Sequence, residues 1–314
     1  MNKEMYGESK TNDAVLHVPV LLSEVLESFK NVKYWILDLT IGRGGHFFEL
    51  LKFHNNLIGF DADIDCVNYI RSTLVNLGYI SYKKIDKKIE ILKKGENKKV
   101  ILVNANFVEL KNVLSELRVE KVSGILADLG INMIQLKNSK RGFSFKNKTD
   151  ILDMRLNTKK GFRALDLLNG LSKNELTLLL KNLGEVRGAS RIAENIINYR
   201  KYKSINSVED LLKASKIDKF YNKKNIHPAT QLFMALRIAV NKEHINLKVL
   251  LDSTLEYIKK GAVFSIITFH SLEEKVVYKF LKNEALNYEV YTANEKELRT
   301  NKSSRSAKLF VIKI

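Results

Sequence analysis

Apolar positions in the first third of the chain change period repeatedly. Apolar runs of strand length at 34–40 ("YWILDLT"), 57–61 ("LIGFD"), 100–104 ("VILVN") and 123–129 ("SGILADL") predict strands. Between them the pattern predicts a short helix over 46–54, one over 63–77 carrying Val67, Ile70, Leu74 and Leu77, and one over 108–118. Strands alternating with helices in this way predict a parallel sheet with right-handed crossovers. The exception is 81–99, with eight lysines against three acids. It reads as an exposed basic excursion, either an RNA-facing arm or a solvated insertion, and the second reading is preferred.

The alternation stops at 138. From there to 226 no strand is expected. A loop ("NSKRGFSFKNKTDILDMRLN") leads into helices over 173–183, 188–200 and 207–214. The α/β pattern resumes near Pro228, a residue suited to a first helical turn. Helices over 229–244 and 247–259 precede a buried strand at 262–269. Ser271 then opens a helix with Glu274 at capping-box spacing. Strands at 287–293 and 306–313 fit an antiparallel hairpin on the sheet edge. The expected fold is therefore α/β, with a mostly parallel sheet formed by 1–137 and 227–314. An all-helical domain, 138–226, is inserted into it.

Composition narrows the function classes. The chain has 314 residues, 45% of them hydrophobic, and only two prolines, Pro19 and Pro228. Cys66 is the only cysteine, which excludes an internal disulfide and a cysteine-based zinc site. No His/Asp/Glu set has metal-ligand spacing, so no metal is expected. No apolar run approaches a membrane span, and the polar start lacks a signal-peptide core, so a cytoplasmic protein is expected. The sequence leaves the oligomeric state open, a homo-oligomer included. The net charge of +18 invites a polyanion. Lysine accounts for much of it and is overused throughout. The 12 arginines are more informative, because Arg141, Arg155, Arg187, Arg191, Arg237 and Arg305 lie in motif-like stretches.

The most pointed chemistry is in "DLTIGRGGHF", Asp38 to Phe47. Ligands of such folds bind at the carboxyl ends of the strands, where Asp38, Asp61, Phe107 and Asp128 are expected. A dinucleotide loop would read G-x-G-x-x-G, but the third glycine is missing after Gly42, Gly44 and Gly45. No P-loop occurs either. A carboxylate at Asp38, beside Gly42, repels phosphate and attracts an ammonium group. S-adenosylmethionine, which carries an ammonium and a sulfonium but no phosphate, fits better. Asp61, 23 residues after Asp38, has the spacing of a ribose-binding acid. Asp63 reads as a helix cap.

Nine stretches in order then carry a resemblance: "HVPVLLSEVLESF", "DLTIGRGGH", "GILADLG", "RGFSF", "LDMR", "GEVRGASRIAENII", "HPATQLFMALRIAVN", "ITFHSLEEKVV" and "RSAKL". Together they resemble the bacterial 16S ribosomal RNA (cytosine-N4)-methyltransferase family, MraW-like, over nearly the whole chain. The resemblance implies a class I methyltransferase fold with a helical insertion, S-adenosylmethionine as cofactor, and the small ribosomal subunit as partner. It implies cofactor contacts at Gly44, Gly45, His46, Asp61, Phe107, Asp128 and Gln135. Phe47, Ile131-Asn132-Met133, Glu274 and Lys302 depart from the family's usual residues.

Methylating an exocyclic amine calls for an acceptor that takes its proton, and Asp128 is the candidate. A base in folded RNA must first be extruded. Arg141, Phe143, Asp153, Arg155, Arg191 and His270 are the candidate RNA contacts. Phe143 and Phe145 equally fit a role in pinning the insertion to the sheet. Glu185, Arg187 and Arg191 fit an intrahelical ion-pair set. His17 reads as structural or rim-forming. A non-catalytic RNA-binding assembly factor on the same fold is the alternative, and the glycine loop with Asp38 and Asp61 argues against it.

Overall fold

The computed structural model describes residues 19–130, 139–217 and 227–314. Its centre is a nine-stranded sheet in the order β3-β4-β5-β2-β1-β6-β7-β9-β8. The parallel strands are β1 (Ile36–Asp38), β2 (Asn56–Asp61), β5 (Lys98–Asn104), β6 (Val122–Asp128) and β7 (Ile258–Thr268). They coincide with the apolar runs because a sheet covered on both faces buries nearly every side chain.

One face is covered by α1 (Leu22–Phe29), α2 (Gly45–Phe53) and α3 (Ile64–Asn76), through Val25, Phe29, Phe47, Leu50, Ile70 and Leu74. The other carries α4 (Leu110–Glu116), α10 (Glu243–Tyr257) and α11 (Ser271–Asn283), through Leu114, Leu250, Val277 and Phe280. This is the Rossmann-like class I arrangement. At one edge β8 (Asn287–Thr292) and β9 (Lys308–Lys313) pair antiparallel, as expected. They are joined by α12 (Glu295–Thr300) and a short 3-10 helix rather than a tight turn.

Between β6 and β7 lies a helical layer of α5 (Ala164–Gly170), α6 (Lys173–Gly184), α7 (Ala189–Arg200), α8 (Val208–Ser215) and α9 (Pro228–Asn241). The sequence reading lacks α5. It also places α9 with the sheet, whereas Ala229, Leu232, Phe233 and Leu236 belong to the helical cluster with Leu176, Leu180 and Ile192. The helical packing therefore continues past 226. Asn241, at the end of α9, fastens this layer: its side-chain amide donates to the Met154 carbonyl at 2.8 Å and accepts from the Leu156 N–H at 2.9 Å.

Residues 81–99 are solvated, as expected, but they are built into the sheet. They form β3 (Ile80–Lys84) and β4 (Ile89–Lys94), which extend the sheet, β4 antiparallel to β5 and β3 antiparallel to β4. The strand signal was masked because β3 is wholly exposed and lysine-rich, as solvent-facing edge strands often are. In β4, Ile89, Ile91 and Leu92 are buried.

Candidate active site

The carboxyl ends of β1, β2, β5 and β6 bring Asp38, Asp61, Phe107 and Asp128 to one edge of the sheet. The loop from β1 to α2 lies there too. Gly44 has φ +82°, and a Cβ there would come within 2.6 Å of the Phe48 and Ile70 side chains, so the turn needs glycine. Phe47 is fully buried. Gly59 leaves it room, since a Cβ at 59 would stand 2.9 Å from its ring.

Asp38 is almost wholly buried, and its carboxylate accepts the Thr40 N–H at 3.1 Å. Burial pushes its pKa up to about 7, although His46 and the Thr40 bond pull the other way. Burial also raises Asp61 to about 6. The Asp61 carboxylate holds the loop, accepting from the Gly42 N–H at 2.9 Å and the Asp63 N–H at 2.8 Å. Asn104 supports it from the next strand, donating to the Asp61 carbonyl at 3.0 Å.

His46 links the two halves of the site. Its Nε2 lies 2.9 Å from the Val20 carbonyl and its Nδ1 3.4 Å from Asp128 Oδ2. Burial alone would lower its pKa; the Asp128 carboxylate, the carbonyl and Asp38 outweigh that and raise it. The other Asp128 oxygen, Oδ1, is buried without a hydrogen-bond partner. The Asp128 N–H donates to Thr40 Oγ1 at 2.8 Å. Thr40, Val20 and Asn104 were not singled out from sequence. Thr40 carried a usable signal, standing two residues after Asp38 where a short side chain bonds local backbone.

The sequence profile of the MraW methylase family matches residues 14–314. The chain belongs to that family. Curated relatives named ribosomal RNA small subunit methyltransferase H include one from Mycoplasmoides gallisepticum, 35% identical over 95% of this chain and 96% of its own. One from Persephonella marina is 36% identical over 95% and 99%, and one from Karelsulcia muelleri 39% over 88% and 86%.

The methyl donor of this family is S-adenosylmethionine, and the residues fit it. Three carboxylates converge on the loop, two of them raised in pKa by burial, and His46 stands against one of them, Asp128. A ligand bearing ammonium and sulfonium charge relieves this deficit, whereas a phosphate worsens it. Gln135 lies outside the described residues, as do His17 and Ile131–Met133.

The expected RNA residues divide. Arg141 is drawn inward: its guanidinium bonds Asp63 Oδ2, the N-cap of α3, and the carbonyls of Arg155 and Leu156 at 3.1 and 3.2 Å. Phe143 is buried in the helical cluster, so base stacking is withdrawn for it. Phe145 stacks on His227 at 4.9 Å. Asp153 and Arg155 pair with each other through two bonds of 2.7 and 2.8 Å. These motifs tie the insertion together and, through Arg141, to the sheet. Arg191 is exposed on α7. Glu185 does not form the intrahelical set; it pairs across to Lys275 on α11 at 3.2 Å.

His270, not Ser271, caps α11: its Nδ1 accepts from the Glu273 N–H at 3.4 Å. Glu243, His270 and Glu273 converge closely, a set invisible in sequence because its members come from two elements. His270 Nε2 lies 3.1 Å from Glu273 Oε1 and is buried without a hydrogen-bond partner. Arg237 already neutralises Glu243 at 2.8 Å.

Proposed function

We propose that this protein transfers the methyl group of S-adenosylmethionine to the N4 exocyclic amine of a cytidine in 16S ribosomal RNA of the small subunit, in the cytoplasm. The observation that carries the reading is Asp128: one carboxylate oxygen is held by His46 and the other is buried without a partner. Such an oxygen is poised to accept a hydrogen bond, because leaving it unpaired is costly.

Bound S-adenosylmethionine supplies an electrophilic methyl group on a positively charged sulfur. Asp38 would bind its ammonium and Asp61 its ribose hydroxyls, with Gly42, Gly44, Gly45, His46 and Phe107 around them. Alignment does most of the remaining work. The N4 lone pair is delocalised into the cytosine ring. Asp128, bonded to an amine N–H, would localise it and take the proton released as nitrogen gains the methyl group. His46, with its raised pKa, keeps that carboxylate oriented and its charge balanced.

The helical segment 138–226 is assigned to RNA recognition, with Arg191 as a contact; His270, outside that segment at the start of α11, is assigned a second contact. Phosphate attraction carries no sequence information, so selection rests on the shape around an extruded cytidine. An assembled or partly assembled small subunit should therefore be a better substrate than free RNA. Labelled transfer to subunits, followed by nuclease digestion and mass spectrometry, tests the reading. The label should fall on the exocyclic nitrogen, and Asp128→Asn should slow transfer by about 10²–10⁴-fold. A label on ring carbon 5, a ribose hydroxyl or protein overturns it.

A further inference from the structure

The β3–β4 hairpin has one end at the active site. Asp38 pairs with Gly59, Gly59 with Leu102, Leu102 with Glu90, and Glu90 with Lys84. Lys84 is therefore level with Asp38, four strand spacings away, roughly 19 Å. The turn after it points the same way, since the Lys88 carbonyl accepts from the N–H of Asn104 at the carboxyl end of β5. The β4–β5 turn, with Lys94 and Lys98, lies at the opposite end of the sheet.

This end of the hairpin is basic. Lys83, Lys84, Lys87 and Lys88 are all exposed. The acid among them, Asp86, spends Oδ1 on the backbone N–H groups of Lys88 and Ile89. Lys88 pairs with Glu109 at 2.6 Å, and Glu90 with Arg71 at 2.8 Å. Among the described residues no ion pair holds Lys83, Lys84 or Lys87. The helical layer leaves the sheet after β6, on the other side of the site. The site thus sits between a helical layer on one flank and a lysine-tipped hairpin on the other.

We infer that the tip of the β3–β4 hairpin is a second RNA-contact surface, which grips the phosphate backbone of the substrate about 19 Å from Asp38. The inference rests on the proposal that the substrate is ribosomal RNA. A single nucleoside at the site could not reach this tip, but a folded RNA spans the gap. The contact supplies affinity and register rather than base identity.

The test compares two triple variants of equal charge change, both on exposed or half-exposed lysines, at opposite ends of β4. Lys83→Gln/Lys84→Gln/Lys87→Gln alters the tip beside the site. Lys93→Gln/Lys94→Gln/Lys98→Gln alters the far end. Binding to transcribed 16S ribosomal RNA is measured against salt, alongside calorimetry with S-adenosylmethionine and methyl transfer to small subunits. The tip variant should flatten the logarithmic salt slope by about two to three units, so that the affinity gain on dilution from about 0.2 to 0.05 M salt shrinks roughly 16- to 64-fold. Its KM for small subunits should rise, with kcat and S-adenosylmethionine affinity unchanged. The far-end variant should keep the parental slope. An unchanged slope in the tip variant, or an equal loss in both, overturns the inference. Absence of methyl transfer by the parent protein would instead strike the proposed reaction, and the slopes would still decide whether the tip binds RNA.

Discussion

His46 and Asp128 are joined across the active site, Nδ1 to Oδ2 at 3.4 Å, while the far side of the same imidazole rests on the Val20 carbonyl at 2.9 Å. The glycine loop and the end of β6 are thereby coupled through one buried ring. His46→Ala should lower unfolding free energy by about 1–3 kcal/mol, because it strands polar partners. It should also reduce single-turnover methyl transfer more than cofactor affinity. Denaturant unfolding, rapid-quench rates and calorimetry check these effects. Parental turnover in a folded variant would break the link between the ring and Asp128.

With Asp38 assigned to the cofactor ammonium, cofactor binding should depend on pH. Burial raises it to about 7, so the ligand-free carboxyl is mostly neutral below that pH and ionised above it. A cationic ligand requires the anion. Affinity should rise roughly five-fold from pH 6 to pH 7 and level off above, with a steeper fall below 6, where Asp61 also takes up a proton. Stability of the ligand-free fold runs the other way. The unfolded carboxyl titrates near 4, so the folded state holds the extra proton between about 4 and 7 and loses stability as pH rises through that window. Calorimetry at several pH values tests this, and Asp38→Asn should flatten the profile.

Asp61 holds the loop and is proposed to bind the ribose, and Asp61→Ala should lose both interactions. Its carboxylate anchors the N–H groups of Gly42 and Asp63 and is assigned the ribose. Affinity for S-adenosylmethionine should fall by about 1.5–3 kcal/mol, the worth of a charge-assisted hydrogen bond. An unchanged affinity in a folded variant would exclude the ribose assignment.

Arg141 is a seam residue. Its side chain is 14% exposed and that of its partner Asp63 3%. Removing one member of such a buried pair costs about 3–5 kcal/mol. Arg141→Ala should lower the unfolding midpoint sharply. Limited proteolysis should then cut first near 139–163, where the seam opens. A variant of parental stability would restore Arg141 as an RNA contact.

The parallel strands were legible in the sequence because burial on both faces writes them as unbroken apolar runs, and the carboxylates at their ends followed from that placement. Strands β3 and β4 were not, because exposed lysines hide the alternation. The roles of Arg141, Phe143 and Arg155 were ambiguous for a different reason. Arginine and aromatic residues serve a packed seam as well as an RNA surface, and only their partners tell the two apart. The Glu243–His270–Glu273 cluster is assembled by tertiary packing, which no local spacing records.

Methylation of the cytidine N4 amine in small-subunit ribosomal RNA is read most directly from the modified-nucleoside content of 16S ribosomal RNA from cells with and without this protein, by mass spectrometry after complete digestion. Loss of the protein should remove an N4-methylated cytidine, the intact chain should restore it, and Asp128→Asn should not. An unchanged content of that nucleoside, or loss of a different modification, would contradict the account.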